Sequence, residues 1–298
     1  MKLEDIIDIK NIKYNEPMSK HTTMRVGGNA DVLVIPTTNE EVINIIKYAK
    51  INKIPFKVLG VGSNVIVGDN GIEGIVIKIT NKMEDIKIID DVIIATAGSS
   101  MPKVAIKAKG ACLTGFEFAC GIPGTIGGGT RMNAGAYGKE FSDIVESVKY
   151  LDEDLNIKEL KKQQLKFGYR KSIFDENKNL IVLETTFKLK KGNKEDIEKI
   201  MNDNKLARIS KQPLNKPNAG SIFKRPEGYF AGKLIQDSEL QGKSIGGAQV
   251  STKHAGFIVN TGNATCKDIK DLIKLIQKTI KEKFDVSIET EVEFIGRD

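Results

Sequence analysis

Residues 115–138 read GFEFACGIPGTIGGGTRMNAGAYG. Eight glycines in these 24 positions are interleaved with Phe, Ile, Pro, Met and Tyr, not with the Ser and charge of a flexible linker. Glycine at this density costs conformational entropy, and it is used where the main chain takes positive φ or passes close to another group. The segment therefore reads as a buried, shaped backbone. Bare N–H groups in such turns form nests for anions, cofactor phosphates among them. The same pattern also lets two sheets pack closely, and the glycines alone leave both readings open.

On the N-terminal side, Thr38-Asn39-Glu40-Glu41 has the form of a capping box, and Val42, Ile45, Ile46 and Ala49 follow on one helical face. Strands expected at 54–59 and 74–80 give a βαββ start, with a further strand at 92–97. A helix entered through Pro102 covers 102–109, and Gly124-TIGG opens a brief helix. On the C-terminal side, VESVKYLD and DLNIKELK predict a hairpin, 180–189 a strand and 194–210 a helix. Pro213 and Pro217 then break the chain, so KQPLNKP is the best candidate boundary. The last third predicts a short helix at 230–236, a strand at 256–259, a long helix at 266–283 and a closing strand at 286–295. No internal repeat or low-complexity tract interrupts this pattern.

The chain's 298 residues suffice for two or three domains. A hydrophobic fraction of 40% beside 29% charged residues fits a soluble globular protein. No apolar stretch approaches the roughly 20 residues of a membrane span. The opening MKLEDIIDIKNIKYN lacks the apolar core of a signal peptide, so a cytoplasmic location is expected. Cys112, Cys120 and Cys266 form no C-x-x-C pair and are expected to be reduced and packed. His21 and His254 stand far apart, and no metal site is expected. A net charge of +7 suits nucleic acid or anionic small molecules. Lysines interrupted by acids, as in KKGNKEDIEK, and the lack of an RNP-like motif argue against nucleic acid.

Gly60-Val61-Gly62-Ser63-Asn64 follows a strand, which invites a dinucleotide reading. A Rossmann turn needs a third glycine at 65 and then a helix, whereas Val65 begins VIV. This turn could hold a pyrophosphate, with side-chain hydrogen bonds from Ser63 and Asn64, but not in a Rossmann unit; an ordinary turn is the other reading. Gly242-Lys243-Ser244 mimics the end of a P-loop, yet Asp237 stands where its first glycine belongs, which rejects an NTPase. FGYRKS at 167–172, AGSIFK at 219–224 and Glu291 are suggestive only together, because an isolated Arg, Ser or Glu is more often a surface residue.

Six segments taken in order are HTTMRVGGNAD (21–31), GVGSN (60–64), GIPGTIGG with MNAGAYG (within 121–138), GYRKS (168–172), NAGSIFKRP (218–226) and EVEFIG (291–296). Together they closely resemble the UDP-N-acetylenolpyruvoylglucosamine reductases, the MurB family, over nearly the whole chain. The resemblance implies an α+β fold: an FAD-binding region of the vanillyl-alcohol-oxidase (PCMH) type in two subdomains, 1–80 and 81–210, and a C-terminal α+β substrate-binding domain, 211–298. FAD held without a covalent bond and NADPH as hydride source are implied as cofactors. Gly60, Val61, Gly62, Ser63, Asn64, Gly121, Ile122, Pro123, Gly124, Thr125, Gly127, Gly128, Asn133, Ala134 and Gly135 become the expected FAD cradle. Tyr169, Lys224 and Arg225 become expected substrate contacts. The stretch GSIFKRPEGYFAGKLIQDS marks the shorter branch, where Arg225 replaces the asparagine typical of the longer one. Thr130 and Arg131 depart from the small or apolar residues expected there.

The implied reaction has two half-reactions: reduction of FAD by NADPH, then hydride delivery to C3 of the enolpyruvyl group of a UDP-sugar, completing UDP-N-acetylmuramate for peptidoglycan. Negative charge builds at C2 and its carboxylate. Arg170 matches the family arginine that holds this carboxylate. Ser221 matches the proton donor to C2. Glu291 matches the third catalytic residue, either as a neutral hydrogen-bonding acid or as the orienter of Arg170 or a water. His21 raises the covalent flavin attachment known in oxidases of this fold; a packed or capping role is expected instead. Partners are the small-molecule substrate, with no nucleic acid and no membrane, and a monomer is expected. An FAD oxidase of the same fold and a noncatalytic UDP-sugar-binding module are the competing readings.

Overall fold

A computed structural model describes residues 2–298. The chain divides into two compact units: one runs through Ile12, Val34–Val61 and Val76–Arg208, the other holds Lys13–Leu33, Gly62–Ile75 and Ile209–Asp298.

The first unit is built on a five-stranded antiparallel sheet in the order Ile157–Lys161, Val145–Leu151, Ile181–Lys188, Val92–Thr96, Ile86–Ile89. The expected hairpin is its 145–161 edge. Thr185 and Phe187 alternate inward on the central strand and are fully buried. Phe116, Phe118, Phe141 and Phe187 form the aromatic core below it, with centroids 5.0–6.2 Å apart, mostly in tilted or edge-to-face pairs. Helix Asn39–Ile51 begins at Thr38, whose hydroxyl accepts from the Glu41 amide at 3.1 Å. Only half of the capping box forms, because the Glu41 carboxylate turns to the Thr37 amide at 2.6 Å. The strand expected at 54–59 starts only at Phe56, after Pro55, which has no N–H to give a ladder. Helix Met101–Gly110 carries Pro102 in its first turn, as expected.

The second unit centres on helix Cys266–Phe284 and a sheet in the order Asn218–Ser221, Phe257–Asn260, Ala248–Val250, Ser244–Ile245. Ile269, Leu272, Ile273, Ile276 and Ile280 recur at helical spacing, and all are buried against Ile222, Ala248, Val250 and Ile258. Each such side chain contributes about 1.5–3 kcal/mol. Asp69 caps this helix from outside, accepting from the Cys266 and Lys267 amides at 2.7 and 2.9 Å. The closing strand expected over 286–295 is ordered as a strand only at Glu293–Ile295, which pairs in parallel with Val65–Val67. The β-branched residues before it find isolated pairings instead: Thr290 with Phe223, and the Glu291 amide with the Ile222 carbonyl at 2.7 Å.

Cys112, Cys120 and Cys266 are all free thiols, and burial pushes the Cys266 thiol up to about 11. Among the described residues, no helix is long and apolar enough to cross a membrane, and no group of three or more His, Cys, Asp or Glu is placed to hold a metal.

Packing dictates several of the glycines. A Cβ at Gly129 would stand 2.8 Å from the Phe141 ring and 2.9 Å from the Met101 sulfur, whereas one at Gly128 would meet nothing nearer than Thr125 Oγ1 at 3.6 Å. Gly129→Ala should therefore cost about 1–3 kcal/mol in urea unfolding, with Gly128→Ala neutral or slightly stabilising as a helical Gly-to-Ala change.

Candidate active site

In the first unit, the glycine segment folds onto the end of the GVGSN turn. A Cβ at Gly60 would lie 2.6 Å from Thr125 Oγ1, so only glycine admits this approach. Gly60, Val61, Gly121, Ile122, Gly124 and Gly127 are half-buried, Pro123 and Gly128 are exposed, and Thr125 and Ala134 are buried. Thr125 caps the short helix Ile126–Arg131. Gly127 sits against Ala97, where a Cβ would be 2.9 Å from the Ala97 Cβ, while Gly135 sits against Lys139 and Glu140. The packing reading holds for several of these residues. Gly60, Gly127, Gly129 and Gly135 are packing glycines, whereas Gly128 has an open face.

Three hydrogen bonds fasten GYRKS to RMNAG, residues 131–135. The Asn133 amide nitrogen donates to the Gly168 carbonyl at 3.0 Å, Arg170 Nη2 to the Gly135 carbonyl at 3.3 Å, and Ser172 Oγ to the Arg131 carbonyl at 2.5 Å. Asn133 is fully buried and left-handed at φ 47, and its Oδ1 accepts from the Ser142 amide at 2.8 Å. Its side chain thus serves the protein's own backbone at both ends. Gly168 and Lys171 exchange backbone hydrogen bonds at 3.0 and 3.1 Å, closing a tight turn with Arg170 at its tip, φ 55. This left-handed backbone is what the tip of so tight a turn requires. Its guanidinium lies 5.2 Å from the centroid of the exposed Tyr169 ring.

The two unexpected residues have partners here. Thr130 is fully buried and its hydroxyl bonds that of Thr185 at 2.8 Å, tying the cradle helix to the central strand. Arg131 pairs with Asp175 at 3.4 Å.

In the second unit, four of the six sequence segments converge. Thr23 of HTTMR donates from its amide to the Gly62 carbonyl at 3.1 Å, and from its hydroxyl to the Asn218 carbonyl at 2.7 Å. Asn64 donates from its side chain to the Glu291 carbonyl at 3.1 Å and accepts from the Glu293 amide at 3.0 Å. Ser63 beside it is half-buried. The strand Asn218–Ser221 is bulged, with Gly220 left-handed at φ 79, and the bulge leaves Ser221 exposed where the Glu291 backbone crosses Ile222. Ser221, Glu291 and Asn64 are therefore neighbours by main-chain contact. Lys224 pairs with Glu289 at 3.1 Å, and the Arg225 guanidinium lies 4.0 Å from the Phe230 ring centroid.

His21 is buried, with Nε2 2.9 Å from Glu16 Oε1. A Cβ at Gly62, φ 69, would stand 2.6 Å from the His21 carbonyl, so the turn is built around this backbone. The His21 hydrogen bond is the main cause holding the Glu16 carboxyl below its usual range.

Residues 30–161 match the FAD binding domain family, which makes the chain an FAD-binding protein. Residues 212–295 match the C-terminal domain of UDP-N-acetylenolpyruvoylglucosamine reductase. The chain is 50% identical over 295 residues to the enzyme of that name from Caldanaerobacter subterraneus subsp. tengcongensis, covering 99% of this chain and 97% of the relative. It is 49% identical over 298 residues to that of Clostridium botulinum strain 657, covering 100% and 97%. The crystal structure of the reductase MurB from Thermus caldophilus superposes with a TM-score of 0.81 at 33% identity, covering 95% of this chain and 97% of that one. A glucose oxidase variant of Phl p 4 shares the fold alone, with a TM-score of 0.50 at 12% identity, over 75% of this chain and 52% of that one. The chain belongs to the UDP-N-acetylenolpyruvoylglucosamine reductase family.

Because Glu16 is depressed, its contribution is fully present above the unfolded carboxyl pKa and is lost as pH falls through the folded value. The Tm deficit of Glu16→Gln should accordingly be largest near neutrality and close below about pH 4. With His21 buried against Glu16, acid precipitation should leave the yellow flavin in the supernatant.

Proposed function

We propose that Arg170, Ser221 and Glu291 carry out the chemistry of this reductase on UDP-N-acetylglucosamine enolpyruvate. The enzyme is an FAD- and NADPH-dependent oxidoreductase of peptidoglycan precursor synthesis, a UDP-N-acetylmuramate dehydrogenase. The convergence of four family segments around the Asn218–Ser221 strand and Glu291 in the second unit is the observation that supports the assignment of Ser221 and Glu291.

The residues present fit FAD: Gly60 lets the turn close onto Thr125 where a Cβ would not fit, and Gly128 has an open face. Gly60, Val61, Gly121, Ile122, Pro123, Gly124, Thr125, Gly127 and Gly128, with Gly62 and Ser63, would hold it through main-chain N–H groups and small side chains. Asn64, Asn133, Ala134 and Gly135 shape that backbone from within. The bound flavin supplies hydride relay from NADPH to C3 of the enolpyruvyl group.

Across the double bond, one hydride reaches C3 and one proton reaches C2, giving the lactyl ether. Arg170 holds the substrate carboxylate, and its fixed cation stabilises the charge that builds there more than it stabilises the ground state. Ser221 supplies the proton to C2. A neutral hydroxyl costs less to desolvate than a charged acid, and an enolate-like carbon is basic enough to take its proton. Glu291 orients the groups around that transfer. Tyr169, Lys224 and Arg225 are assigned to the nucleotide-sugar.

The corresponding division is two cofactor subdomains, 1–80 and 81–210, and a substrate domain, 211–298; the family match over 212–295 supports its last boundary. NADPH and a UDP-sugar as reactants favour action in the cytoplasm.

Ser221→Ala should slow flavin reoxidation by substrate by on the order of 10²-fold or more, while NADPH reduction of the flavin survives. Anaerobic stopped-flow separates the two: bleaching by NADPH, then recolouring on addition of the enolpyruvate. Recolouring at the wild-type rate in the variant would remove Ser221 from the mechanism.

A further inference from the structure

Val65–Val67 and Glu293–Ile295 form a parallel ribbon of their own, in the register Glu293 to Val65, Phe294 to Ile66 and Ile295 to Val67. Three residues of two-stranded parallel pairing are a weak unit of sheet. Burial of Ile66 and Val67 holds the middle of the ribbon, and hydrogen bonds hold its ends. One end is the site: Asn64 Nδ2 donates to the Glu291 carbonyl at 3.1 Å, and the Glu293 amide donates to the Asn64 carbonyl at 3.0 Å. The other end closes on Arg297. The Gly68 amide donates to the Ile295 carbonyl at 2.9 Å, the Arg297 amide to the Gly71 carbonyl at 2.7 Å, and the Asn70 amide to the Arg297 carbonyl at 3.3 Å. A Cβ at Gly68 would overlap the Arg297 carbonyl, and one at Gly296, φ 92, would overlap the Gly71 carbonyl, so the crossing admits only glycine at both positions.

The Arg297 guanidinium completes this closure in two directions. Nε donates to the Asn70 carbonyl at 3.1 Å and Nη2 to Asp31 Oδ1 at 2.9 Å, while Asp31 Oδ2 accepts from the Gly74 amide at 2.9 Å. The Gly74 amide first, and the Arg297 guanidinium with it, hold the Asp31 carboxyl below its usual range, so the pair is charged near pH 7. Asp31 ends the segment HTTMRVGGNAD, Asn70 follows the strand after GVGSN, and Arg297 follows EVEFIG, so one side chain joins three stretches of chain. Both members of the ion pair are 46% exposed. An exposed pair adds little to global stability, so its loss loosens the crossing without unfolding the unit.

We propose that Arg297 is a positioning residue for the reaction: acting through the ribbon, it fixes the backbone of Glu291 beside Ser221. The proposal rests on the reading above, in which Ser221 and Glu291 serve the second half-reaction. The Glu291 amide donates to the carbonyl of Ile222, the residue after Ser221, at 2.7 Å. A ribbon that frays at its Arg297 end therefore moves Glu291 relative to the serine, and small misplacements of a reacting group cost rate steeply. Reduction of the flavin by NADPH needs neither residue. The signature of this role is a defect confined to one half-reaction.

The test uses the full-length, FAD-loaded enzyme as wild type, Arg297→Gln, Arg297→Lys and Asp31→Asn. Hydrogen exchange, read by mass spectrometry on peptides covering 290–295, should be faster in Arg297→Gln and in Asp31→Asn. In anaerobic stopped-flow both variants should reoxidise their reduced flavin with the enolpyruvate about tenfold more slowly, while NADPH reduces the flavin at the wild-type rate. Arg297→Lys should recover part of the lost rate, because an ammonium can pair with Asp31 but has no fork to reach Asn70 as well. A residue that only stabilises the fold would lower the Tm and leave both half-reactions at the wild-type rate, and that outcome overturns the proposal. Unchanged exchange over 290–295, or equal slowing of the two half-reactions, overturns it too. If Arg297→Gln does not fold, Asp31→Asn decides alone, since it removes the charged contact and keeps the backbone closure. Reoxidation at the wild-type rate in Glu291→Gln would instead overturn the reading of Glu291, and the exchange data would still show whether Arg297 holds the ribbon.

Discussion

The side-chain amide of Asn133 is the joint on which the first half of the site depends. Fully buried and left-handed, it donates to Gly168 and accepts from Ser142, so one residue fixes both the glycine segment and the arginine turn. A carboxamide is suited to this because it offers a donor and an acceptor on one rigid plane. Its tolerance of positive φ does the rest, sparing the chain the strain a branched residue would meet there. Arg170 inherits its place from that joint. Its own left-handed backbone and its bond to Gly135 are affordable only because the turn carrying it is already closed by Gly168 and Lys171.

In the second unit a bulge performs the corresponding work. Gly220 at positive φ interrupts the register between Asn218 and Ser221 and brings the serine to an exposed position. The backbone of Glu291 meets that of Ile222, and Asn64 ties the same crossing to the GVGSN turn. Thus two side-chain amides, Asn64 and Asn133, organise main chain where the sequence pattern suggested contact with a cofactor. Short polar side chains beside glycines are ambiguous in this way, because the groups that bind a phosphate also bind a carbonyl or an amide.

Much of the fold was legible. The helix at 194–210, the hairpin over 145–161, the strand at 180–189 and the long helix from Cys266 follow from periodicity and caps, and each lies within two residues of its expected bounds. The closing strand was over-read: a β-branched run satisfies the strand pattern, but only Glu293–Ile295 finds a continuous partner in Val65–Val67. Thr130 and Arg131 looked anomalous because their partners, Thr185 and Asp175, lie 55 and 44 residues away in the chain. Arg297 carried no sequence signal at all, since its partners, Asn70 and Asp31, lie 227 and 266 residues away in the chain.

The sequence by itself determined the family and most of the elements, because six short segments kept in order are far more specific than any one of them. Only the tertiary structure decided what each glycine is for. Gly60, Gly127, Gly129 and Gly135 leave room for neighbouring side chains and backbone, Gly121 lies under the Arg208 stem, and Gly128 is left open. A glycine in a sequence records that a side chain is absent; what occupies that space is set by residues far along the chain, and only their packing reveals it.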